Sequence, residues 1–244
     1  MGVGVNDGGF DPLSSNQVEK AGSRLRKILR GDLPPDELSR CLEIIERHRQ
    51  THARPMLNAN IGMRRYAQEL GVDAQVTQRL KRMQTIIEKL TARESQMNLA
   101  RMRDIGGVRV VVENLEILRL FQKTVVAKRR RDGVKVIDYV SEPRQSGYRA
   151  VHLICNWKGK GQVRPVEVQL RTVTMHRWAV VVEEFSAREG VNHKQDGYTP
   201  FHRWALLYSR RLEAAECGEL TGVSDDEFQA AWAAMMKDGD YGDG

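Results

Sequence analysis

Hydrophobic residues recur every three or four positions near the start of the chain, which is the spacing of amphipathic helices. Leu38, Leu42 and Ile45 carry this pattern. The break at Gly31–Pro35 divides residues 13–54 into two predicted helices, because glycine and proline interrupt regular structure.

Helical spacing continues up to about residue 99. Pro55 suits the first turn of a third helix, which we expect to end at Gly71. A further apolar stripe consists of Leu80, Met83, Ile87 and Leu90. We therefore predict a wholly helical N-terminal part, preceded by a disordered start at residues 1–12.

The pattern changes from Asp104 onward to short β-branched or alternating runs, which are typical of strands. Four strands are predicted, at residues 108–112, 134–140, 149–157 and 163–170. Residues 114–128 return to helical spacing between the first two strands. Lys158–Gly161 has the composition of a hairpin turn that joins the last two.

Helical patterns close the chain. Trp178, Val182 and Phe185 lie on one face of a predicted helix, a second helix covers 199–216, and Ser224–Glu227 forms a capping box for the last one. This order of elements predicts an α/β (α+β) fold. A mixed sheet of about five strands is flanked by helices and carries added N- and C-terminal helices.

Charge is distributed unevenly along the 244 residues. The chain contains 39 Lys and Arg against 32 Asp and Glu, a net charge of +7. From Glu213 to the end there are nine acidic residues and one lysine, so this segment carries −8 and residues 1–212 carry +15. Such a basic body suits a polyanionic partner, such as a nucleotide, a nucleic acid or a membrane surface. A solvated basic surface explains the charge equally well.

Composition narrows the class of protein. At 41% hydrophobic and 29% charged residues, the chain is able to bury a core. Cys41, Cys155 and Cys217 are odd in number and widely spaced, which argues against a disulfide scaffold and for a reduced, cytoplasmic protein. No apolar run approaches the roughly 18 residues of a membrane span, so we expect no membrane partner.

Two acidic residues are placed where a metal site is expected. Asp104 directly precedes a predicted strand, and Glu167 lies within another strand between apolar neighbours. Carboxylates from neighbouring strands are able to hold a Mg²⁺ ion that also binds a polyphosphate. The alternative is that Glu167 only faces solvent from the polar side of its strand.

A polar loop lies between these two carboxylates in the sequence. Arg144, Tyr148, Arg149 and His152 follow one another in a segment that also contains proline and glycine. One aromatic ring and several cationic donors suit a stacked nucleobase with its phosphates nearby. An ordinary basic hairpin with a half-buried tyrosine is the alternative.

Four blocks carry the more specific signal. In chain order they are Arg79-Leu80-Lys81 with Lys89, Asp104–Arg109, Glu142–His152 and Val166–Thr172. Together they closely resemble the synthetase domain of the RelA/SpoT family, whose members make alarmone nucleotides. The resemblance covers about residues 79–185. It divides the chain into a helical segment at 13–75, a pyrophosphokinase domain at 76–190, and C-terminal helices with an acidic tail at 191–244.

The resemblance implies a nucleotidyltransferase-like fold that transfers the β,γ-pyrophosphate of ATP to a ribose 3′-hydroxyl. By matching position, it implies that Asp104 and Glu167 hold Mg²⁺ and that Glu167 takes the proton of the attacking hydroxyl. It implies an ATP site formed by Arg79, Lys81, Lys89 and Arg109, with Arg109 stacked on adenine. It implies an acceptor pocket formed by Arg144, Tyr148, His152, Gln169 and His176, with Tyr148 against the base.

Lys81 and Lys89 fit this interpretation physically. If both are helical, they lie about 80° apart around the helix axis, which allows both to approach one triphosphate. Transfer of this kind depends mainly on positioning and on neutralised charge.

Some features depart from the family pattern. Arg144 stands where many members have lysine, and Val180–Phe185 replaces a common Glu-His pair after Trp178-Ala179. The sequence contains nothing like the hydrolase domain or the regulatory tail of the large family members. We therefore expect a small synthetase-only member that acts on a guanine nucleotide (GDP or GTP).

Two other functions stay open. Small family members include toxins of toxin–antitoxin systems, which apply the same chemistry to adenine nucleotides or to the 3′ end of tRNA and so block translation. This alternative would bring tRNA and a neutralising antitoxin protein as partners. A non-catalytic RNA-binding module is the third hypothesis, although such a module gains nothing from two carboxylates that face phosphates.

Two weaker features complete the candidates. His48 and His52 have the i, i+4 spacing of metal ligands, but no third ligand is evident near them. Residues 119–149 contain nine basic and three acidic residues, including the run Lys128–Arg131, and this stripe is a candidate RNA-binding surface.

Overall fold

The computed structural model describes residues 13–93, 97–189 and 198–238. The predicted disorder at 1–12 lies outside these residues, as do the loop at 190–197 and the end of the acidic tail. The helices of the described part are α1 Ser15–Arg30, α2 Leu38–Gln50, α3 Ala53–Leu70, α4 Met83–Glu88, α5 Leu115–Lys128, α6 Val173–Glu189, α7 Pro200–Cys217 and α8 Asp225–Asp238. Its strands are β1 Ala74–Leu80, β2 Gly106–Val112, β3 Val134–Asp138, β4 Val151–Gly159 and β5 Gln162–Thr172.

The five strands form one mixed sheet in the order β1-β2-β5-β4-β3. Strands β2 and β5 run parallel, whereas the other neighbouring pairs are antiparallel. Helices flank this sheet, which confirms the predicted α/β (α+β) class. The hairpin between β4 and β5 turns at Lys160 and Gly161, both with positive φ, as expected from its composition.

Helix ends follow the local sequence. Ser14 caps α1 through a reciprocal capping box with Gln17, and Gly31 ends that helix in the left-handed conformation at φ 82°. Gly71 ends α3 in the same way at φ 64°. The predicted bounds of the first three helices are therefore confirmed to within a few residues.

The prediction of continuous helix up to residue 99 is wrong over β1. Residues Ala74–Leu80 form an edge strand that pairs with β2, so Leu80 ends a strand and Met83 begins α4. The predicted boundary between residues 75 and 76 therefore falls inside a strand. Only Val76 in β1 is buried, and so the strand carries no alternating apolar signal.

Three apolar clusters build the core. The first lies between the sheet and helices α3 and α5, the second joins α6, α7 and α8, and the third joins α1, α2 and α4. Tyr148 and Trp178 belong to the second cluster, and Ile105 belongs to the third. Residues 104 and 148 therefore lie next to different clusters.

Strand alternation separates the core face of the sheet from a polar face. In β5, Val166, Val168 and Leu170 are at most 1% exposed and pack in the first cluster. Glu167 and Gln169 point to the opposite face, because successive side chains alternate across a strand. Within the described residues, no helix is long and apolar enough to cross a membrane.

Candidate active site

A cleft of about 590 Å³ opens on the polar face of the sheet. It is lined by ten of the eleven residues predicted for the site: Arg79, Lys81, Lys89, Asp104, Arg109, Arg144, Tyr148, His152, Glu167 and Gln169. The eleventh, His176, is half-buried on α6 and is not among the residues that line the cleft. Residues that are up to 90 positions apart in the sequence thus line one cavity.

Strand register explains why these side chains meet. Arg109, Gln169 and His152 are direct partners across β2, β5 and β4, so they form one row on the sheet. Arg79 and Glu167 both pair with Gly107, which places them on the neighbouring row. Paired residues lie on the same face of a sheet, and the cleft therefore has a rigid floor.

Asp104 lies between two lysines at one end of the cleft. Its Oδ2 atom accepts hydrogen bonds from Lys81 Nζ at 2.8 Å and from Lys89 Nζ at 3.1 Å. Burial pushes the pKa of Asp104 upward, but the charges and hydrogen bonds of the two lysines outweigh this effect and hold it below its ordinary value. Asp104 is therefore ionised at neutral pH.

The two lysines converge for a reason other than the predicted one. Lys81 lies between β1 and α4, where its backbone N–H donates to Ile105 O at 2.8 Å, and only Lys89 lies in helical structure. The predicted angle around a shared helix is therefore wrong, although both ammonium groups reach the same carboxylate.

Glu167 is held on both of its oxygens. His152 Nδ1 lies 2.9 Å from Oε1, and Gln169 Nε2 donates to Oε2 at 2.8 Å. Burial and the nearby charge of Asp104 raise the pKa of Glu167, but the hydrogen bonds from His152 and Gln169 and the interaction with His152 leave it below its ordinary value. The cleft thus contains two ionised carboxylates that are close enough to interact.

Glu167 belongs to a closed ring of hydrogen bonds. From His152, the ring continues through His152 Nε2 to the hydroxyl of Tyr148 at 2.7 Å. Arg171 Nη2 donates to this hydroxyl at 3.1 Å and to Gln169 Oε1 at 3.0 Å, and Gln169 returns to Glu167. Each of the five side chains therefore fixes the position of two others.

One arrangement of protons satisfies the whole ring. If His152 is neutral and protonated at Nδ1, it donates to Glu167 and accepts the Tyr148 O–H at Nε2, while the tyrosine oxygen accepts from Arg171.

The ring of Tyr148 is largely buried. It is 6% exposed and packs against Tyr139 and Trp178 at centroid distances of 5.8 and 6.0 Å. The guanidinium of Arg171 lies 5.3 Å from the ring centroid. Little of either ring face is accessible, so the structure does not place Tyr148 as a stacking surface; its hydroxyl contributes to the ring of hydrogen bonds instead.

Three cleft residues were missed by the sequence interpretation. Arg171 is 2% exposed and closes the hydrogen-bonded ring. It lies on the same face of β5 as Glu167 and Gln169, and the sequence alone already contains this alternation. Glu183 lies 4.0 Å from Arg109 Nη2 and occupies the segment that departs from the family pattern. Tyr139 lines the cleft beneath the Arg144 guanidinium, which is 4.7 Å from its ring centroid.

The carboxylate pair is compatible with a hard divalent cation. Asp104 and Glu167 are both ionised oxygen donors, and Mg²⁺ is commonly held by one or two carboxylates together with phosphate oxygens. The described residues contain no group of three or more His, Cys, Asp or Glu that is able to hold a metal. An ion held by these two carboxylates would need further ligands, such as water or phosphate oxygens.

Neither of the weaker candidates gains support. His48 and His52 are buried with ring centroids 5.0 Å apart, and His52 Nδ1 is hydrogen-bonded to His48 O at 3.1 Å, which is a structural role. In the basic stripe, Lys128 pairs with Glu69 at 2.5 Å and Arg129 covers the ring of Trp157 at 3.9 Å. Part of that stripe is thus engaged within the fold.

Comparison with known proteins identifies one family. Residues 78–195 match the model of a region found in RelA / SpoT proteins. Over 173 residues the chain is 29% identical to the GTP pyrophosphokinase YjbM of Bacillus subtilis, which covers 66% of this chain and 78% of that protein. Over 111 residues it is 31% identical to the GTP pyrophosphokinase YwaC of the same species, which covers 41% of this chain and about half (52%) of that relative.

Solved structures give the same fold. The small alarmone synthetase 1 of Bacillus subtilis, bound to its product pppGpp, matches with a TM-score of 0.57 at 20% identity and covers 71% of this chain and 94% of that one. The small alarmone synthetase 2 of that organism matches with a TM-score of 0.58 at 18% identity and the same coverage. At these identities the structural likeness establishes the fold alone.

Proposed function

Residues 78–195 make this chain a member of the RelA/SpoT family, and on that premise we propose that it transfers the pyrophosphoryl group of ATP to the 3′-hydroxyl of a guanine nucleotide. Two of its relatives, YjbM and YwaC, are GTP pyrophosphokinases. The observation that carries the proposal is the pair of ionised carboxylates, Asp104 and Glu167, in one basic cleft.

Charge supports a polyphosphate donor. The cleft is lined by six arginines and lysines and by three carboxylates, so it has an excess of positive charge. Arg79, Lys81 and Lys89 lie at the Asp104 end, and in the proposal they bind the ATP phosphates while Arg109 contacts adenine. Preorganised cations stabilise the charge that develops on a transferred phosphoryl group.

In the proposal, Asp104 and Glu167 hold Mg²⁺, and when bound the ion would neutralise phosphate charge and orient the donor. Glu167 also accepts a hydrogen bond from the acceptor hydroxyl. Its position is fixed by His152 and Gln169, and so the carboxylate is preorganised for this contact.

The acceptor side of the proposal lies around Arg144, His152 and Gln169. Arg144 donates to the Tyr139 hydroxyl at 2.9 Å and reaches the cleft beside His152. Tyr148 acts in the proposal by positioning His152. His176 remains an acceptor candidate from the family resemblance; it lies on α6 and is not among the residues that line the cleft.

Labelled ATP tests this function directly. The protein is incubated with [γ-³²P]ATP and Mg²⁺ and, in separate reactions, with GDP, GTP, ADP, ATP alone or bulk tRNA, and the products are resolved. We expect label in the products of GDP and GTP. The variant Asp104→Asn should lose this label, whereas the matched variant Asp36→Asn, at an exposed position on a distant turn, should retain it.

Other outcomes decide between the remaining functions. If label appears only in adenine nucleotides or only in tRNA, the proposed donor chemistry is correct and the proposed acceptor is wrong. No label with any acceptor, from a folded protein, would contradict the proposal and leave a binding function. The tRNA and antitoxin alternatives gain no specific support from the contacts of the cleft itself.

A further inference from the structure

A second cavity, of about 640 Å³, lies beside the cleft. One of its walls is formed by residues that follow the matched family region at 78–195. One wall is the loop at residues 143–149, here termed the acceptor loop, and the other is helix α7. Arg144 lines both the cleft and this α7 cavity. The two cavities are therefore neighbours, and the Arg144 side chain stands at their boundary.

The two walls are fixed to each other. Ser209 Oγ on α7 donates to Gly147 O in the acceptor loop at 2.6 Å, and Trp178 Nε1 on α6 donates to Ala205 O at 2.8 Å. Gly147 has φ 86°, and a Cβ there would lie 2.8 Å from Ser209 Cβ. The close contact requires glycine, and it makes the α7 cavity a preformed feature.

The α7 cavity is strongly basic. Its lining contains four arginines and one carboxylate: Arg144, Arg149, Arg203, Arg210 and Glu213. Arg149 is 7% exposed in its side chain, pairs with Glu213 at 2.8 Å through Nη2, and has no hydrogen-bond partner at Nε within the described part of the chain. Among the described residues of the lining, Glu213 is the only carboxylate, and this ion pair engages it.

The remaining arginines keep their charge available. Arg203 reaches Glu227 at only 4.0 Å and is 70% exposed in its side chain. Arg210 is exposed, and among the described residues no carboxylate lies within 4.0 Å of its guanidinium. A concave surface with excess positive charge attracts anions, and the planar guanidinium fork matches phosphate oxygens.

The position of the α7 cavity indicates which phosphates it receives. In the proposed function the 3′-hydroxyl of the acceptor faces Glu167, so the 5′ side of its ribose points away from the carboxylates. Arg144 lies on that path, at the boundary between the two cavities. We propose that the α7 cavity binds the phosphate groups on the 5′ side of the acceptor nucleoside, an inference that rests on the proposed function.

This chemistry has two sources: the 5′-diphosphate or triphosphate of a free nucleotide, or the phosphodiester that precedes the 3′-terminal nucleoside of an RNA. Steady-state kinetics with GMP, GDP and GTP test the first source. We expect Arg210→Ala to raise the KM for GTP about tenfold, the KM for GDP less, and the KM for GMP less than about twofold. Arg30→Ala, the same charge change at an exposed site on α1, should leave all three unchanged.

An equal rise for the three nucleotides, or no rise at all, would overturn the proposal for free nucleotides. If label enters tRNA instead, Arg210→Ala should raise the KM for tRNA and reduce its salt dependence, because one phosphate contact is removed. An unchanged KM and an unchanged salt dependence in that case would overturn the proposal as well.

A binding measurement separates this inference from the catalytic one. Calorimetry with inorganic tripolyphosphate is carried out on the double variant Lys81→Gln/Lys89→Gln, in which the cleft lacks its two lysines. Adding Arg210→Ala should weaken binding about tenfold, and adding Arg30→Ala should not. If Arg210→Ala weakens tripolyphosphate binding but the wild-type protein transfers no pyrophosphate, the α7 cavity binds anions and the proposed reaction is wrong. Equal affinity in the two triple variants would overturn the α7 site even in an active enzyme.

Discussion

His152 Nδ1 lies 2.9 Å from Glu167 Oε1, and its other ring nitrogen lies 2.7 Å from the Tyr148 hydroxyl. The imidazole therefore connects a carboxylate in the cleft with a tyrosine in the core. Gln169 and Arg171 close the ring from the other side. The position of Glu167 thus also depends on Tyr148 and Arg171, which are 6% and 2% exposed.

This arrangement has a physical advantage for the proposed transfer. Phosphoryl transfer requires little covalent chemistry from the protein and depends on how exactly charges and nucleophile are placed. A carboxylate held on both oxygens loses little freedom when the substrate binds. The ring is therefore expected to act on the rate of the chemical step more than on nucleotide binding.

Tyr148→Phe tests this role. The substitution keeps the ring packed against Trp178 but removes the hydroxyl that bonds His152 and Arg171. We expect kcat to fall about tenfold, which corresponds to about 1.4 kcal/mol, because both hydrogen bonds of the hydroxyl are lost. The KM for the acceptor should change less than about threefold. Steady-state kinetics with varied acceptor measure both quantities.

Tyr208→Phe is the matched control. Tyr208 stacks on Trp204 at 5.3 Å in the same apolar cluster, away from the cleft. Its variant should keep the wild-type kcat. If Tyr148→Phe instead kept kcat, and Tyr148→Ala raised only the acceptor KM, the tyrosine would act as a stacking surface and the positioning role would be wrong.

The two lysines around Asp104 give a second prediction. In the absence of Mg²⁺, Asp104→Asn frees Lys81 and Lys89 from their ion pairs and removes a negative charge from the cleft. We expect ATP to bind about threefold or more tightly to this variant than to the wild type in EDTA, although the variant does not transfer pyrophosphate. Calorimetry measures the affinity. Weaker ATP binding by the variant would show that the lysines do not contact ATP.

Gly147 ties the acceptor loop to α7 and gives a third prediction. In Gly147→Ala, the new Cβ would approach Ser209 Cβ to 2.8 Å and Leu206 Cα to 3.1 Å, at a φ of 86°. We expect a loss of about 2–4 kcal/mol in the free energy of unfolding, measured in urea. Gly31→Ala is the control, because Gly31 has φ 82° but nothing within 4 Å of its Cβ.

Gly31→Ala should cost only the conformational strain, about 1–2 kcal/mol. Equal losses in the two variants would mean that the contact between the acceptor loop and α7 contributes nothing. The preformed α7 cavity would then lack its structural basis.

The buried pair of histidines predicts a pH dependence of stability. Burial lowers the pKa of His48 to about 3 and that of His52 to about 4. The folded protein keeps both rings neutral, whereas the unfolded chain binds protons below about pH 6.5. Full stability is therefore present above pH 6.5 and is lost as the pH falls towards 4.

The slope of this loss is measurable. Each histidine contributes up to about 1.4 kcal/mol per pH unit to the fall in the free energy of unfolding between pH 6 and 4. Urea unfolding at several pH values measures this slope, and His48→Gln should reduce it. A slope that is the same in wild type and variant would mean that His48 titrates normally in the folded state.

Much of the site was predictable from sequence, because its residues stand at positions that strand periodicity defines. Glu167 and Gln169 alternate with apolar core residues, so their shared face follows from β5 alone. Arg171 continues the same alternation, but a charged residue at a strand end is usually solvated. Its burial could be recognised only once α6 and the acceptor loop covered it.

Strand β1 was not predictable for the opposite reason. It lies at the sheet edge with a single buried residue, Val76, so it lacks the alternating pattern that marks a half-buried strand. Leu80 and Met83 then mimic helical spacing across the junction of β1 and α4. A pattern based on periodicity does not distinguish this junction from a continuous helix.

The burial of Tyr148 depends on a contact far along the chain. Ser209 on α7 bonds Gly147 across 62 residues, and this contact brings the second apolar cluster over the acceptor loop. A tyrosine in a polar loop resembles a binding residue when only its neighbours in sequence are considered. Tertiary packing buries most of its ring and places its hydroxyl against His152 and Arg171.

The stoichiometry of the reaction tests the central claim most directly. The protein is incubated with ATP, Mg²⁺ and GDP, and both AMP and the guanine product are quantified by mass spectrometry. The account predicts one AMP for each guanine nucleotide that gains two phosphates, no product with 3′-deoxy-GDP, and no product from Glu167→Gln. Formation of ADP without AMP, or a product from 3′-deoxy-GDP, would contradict pyrophosphoryl transfer to the 3′-hydroxyl.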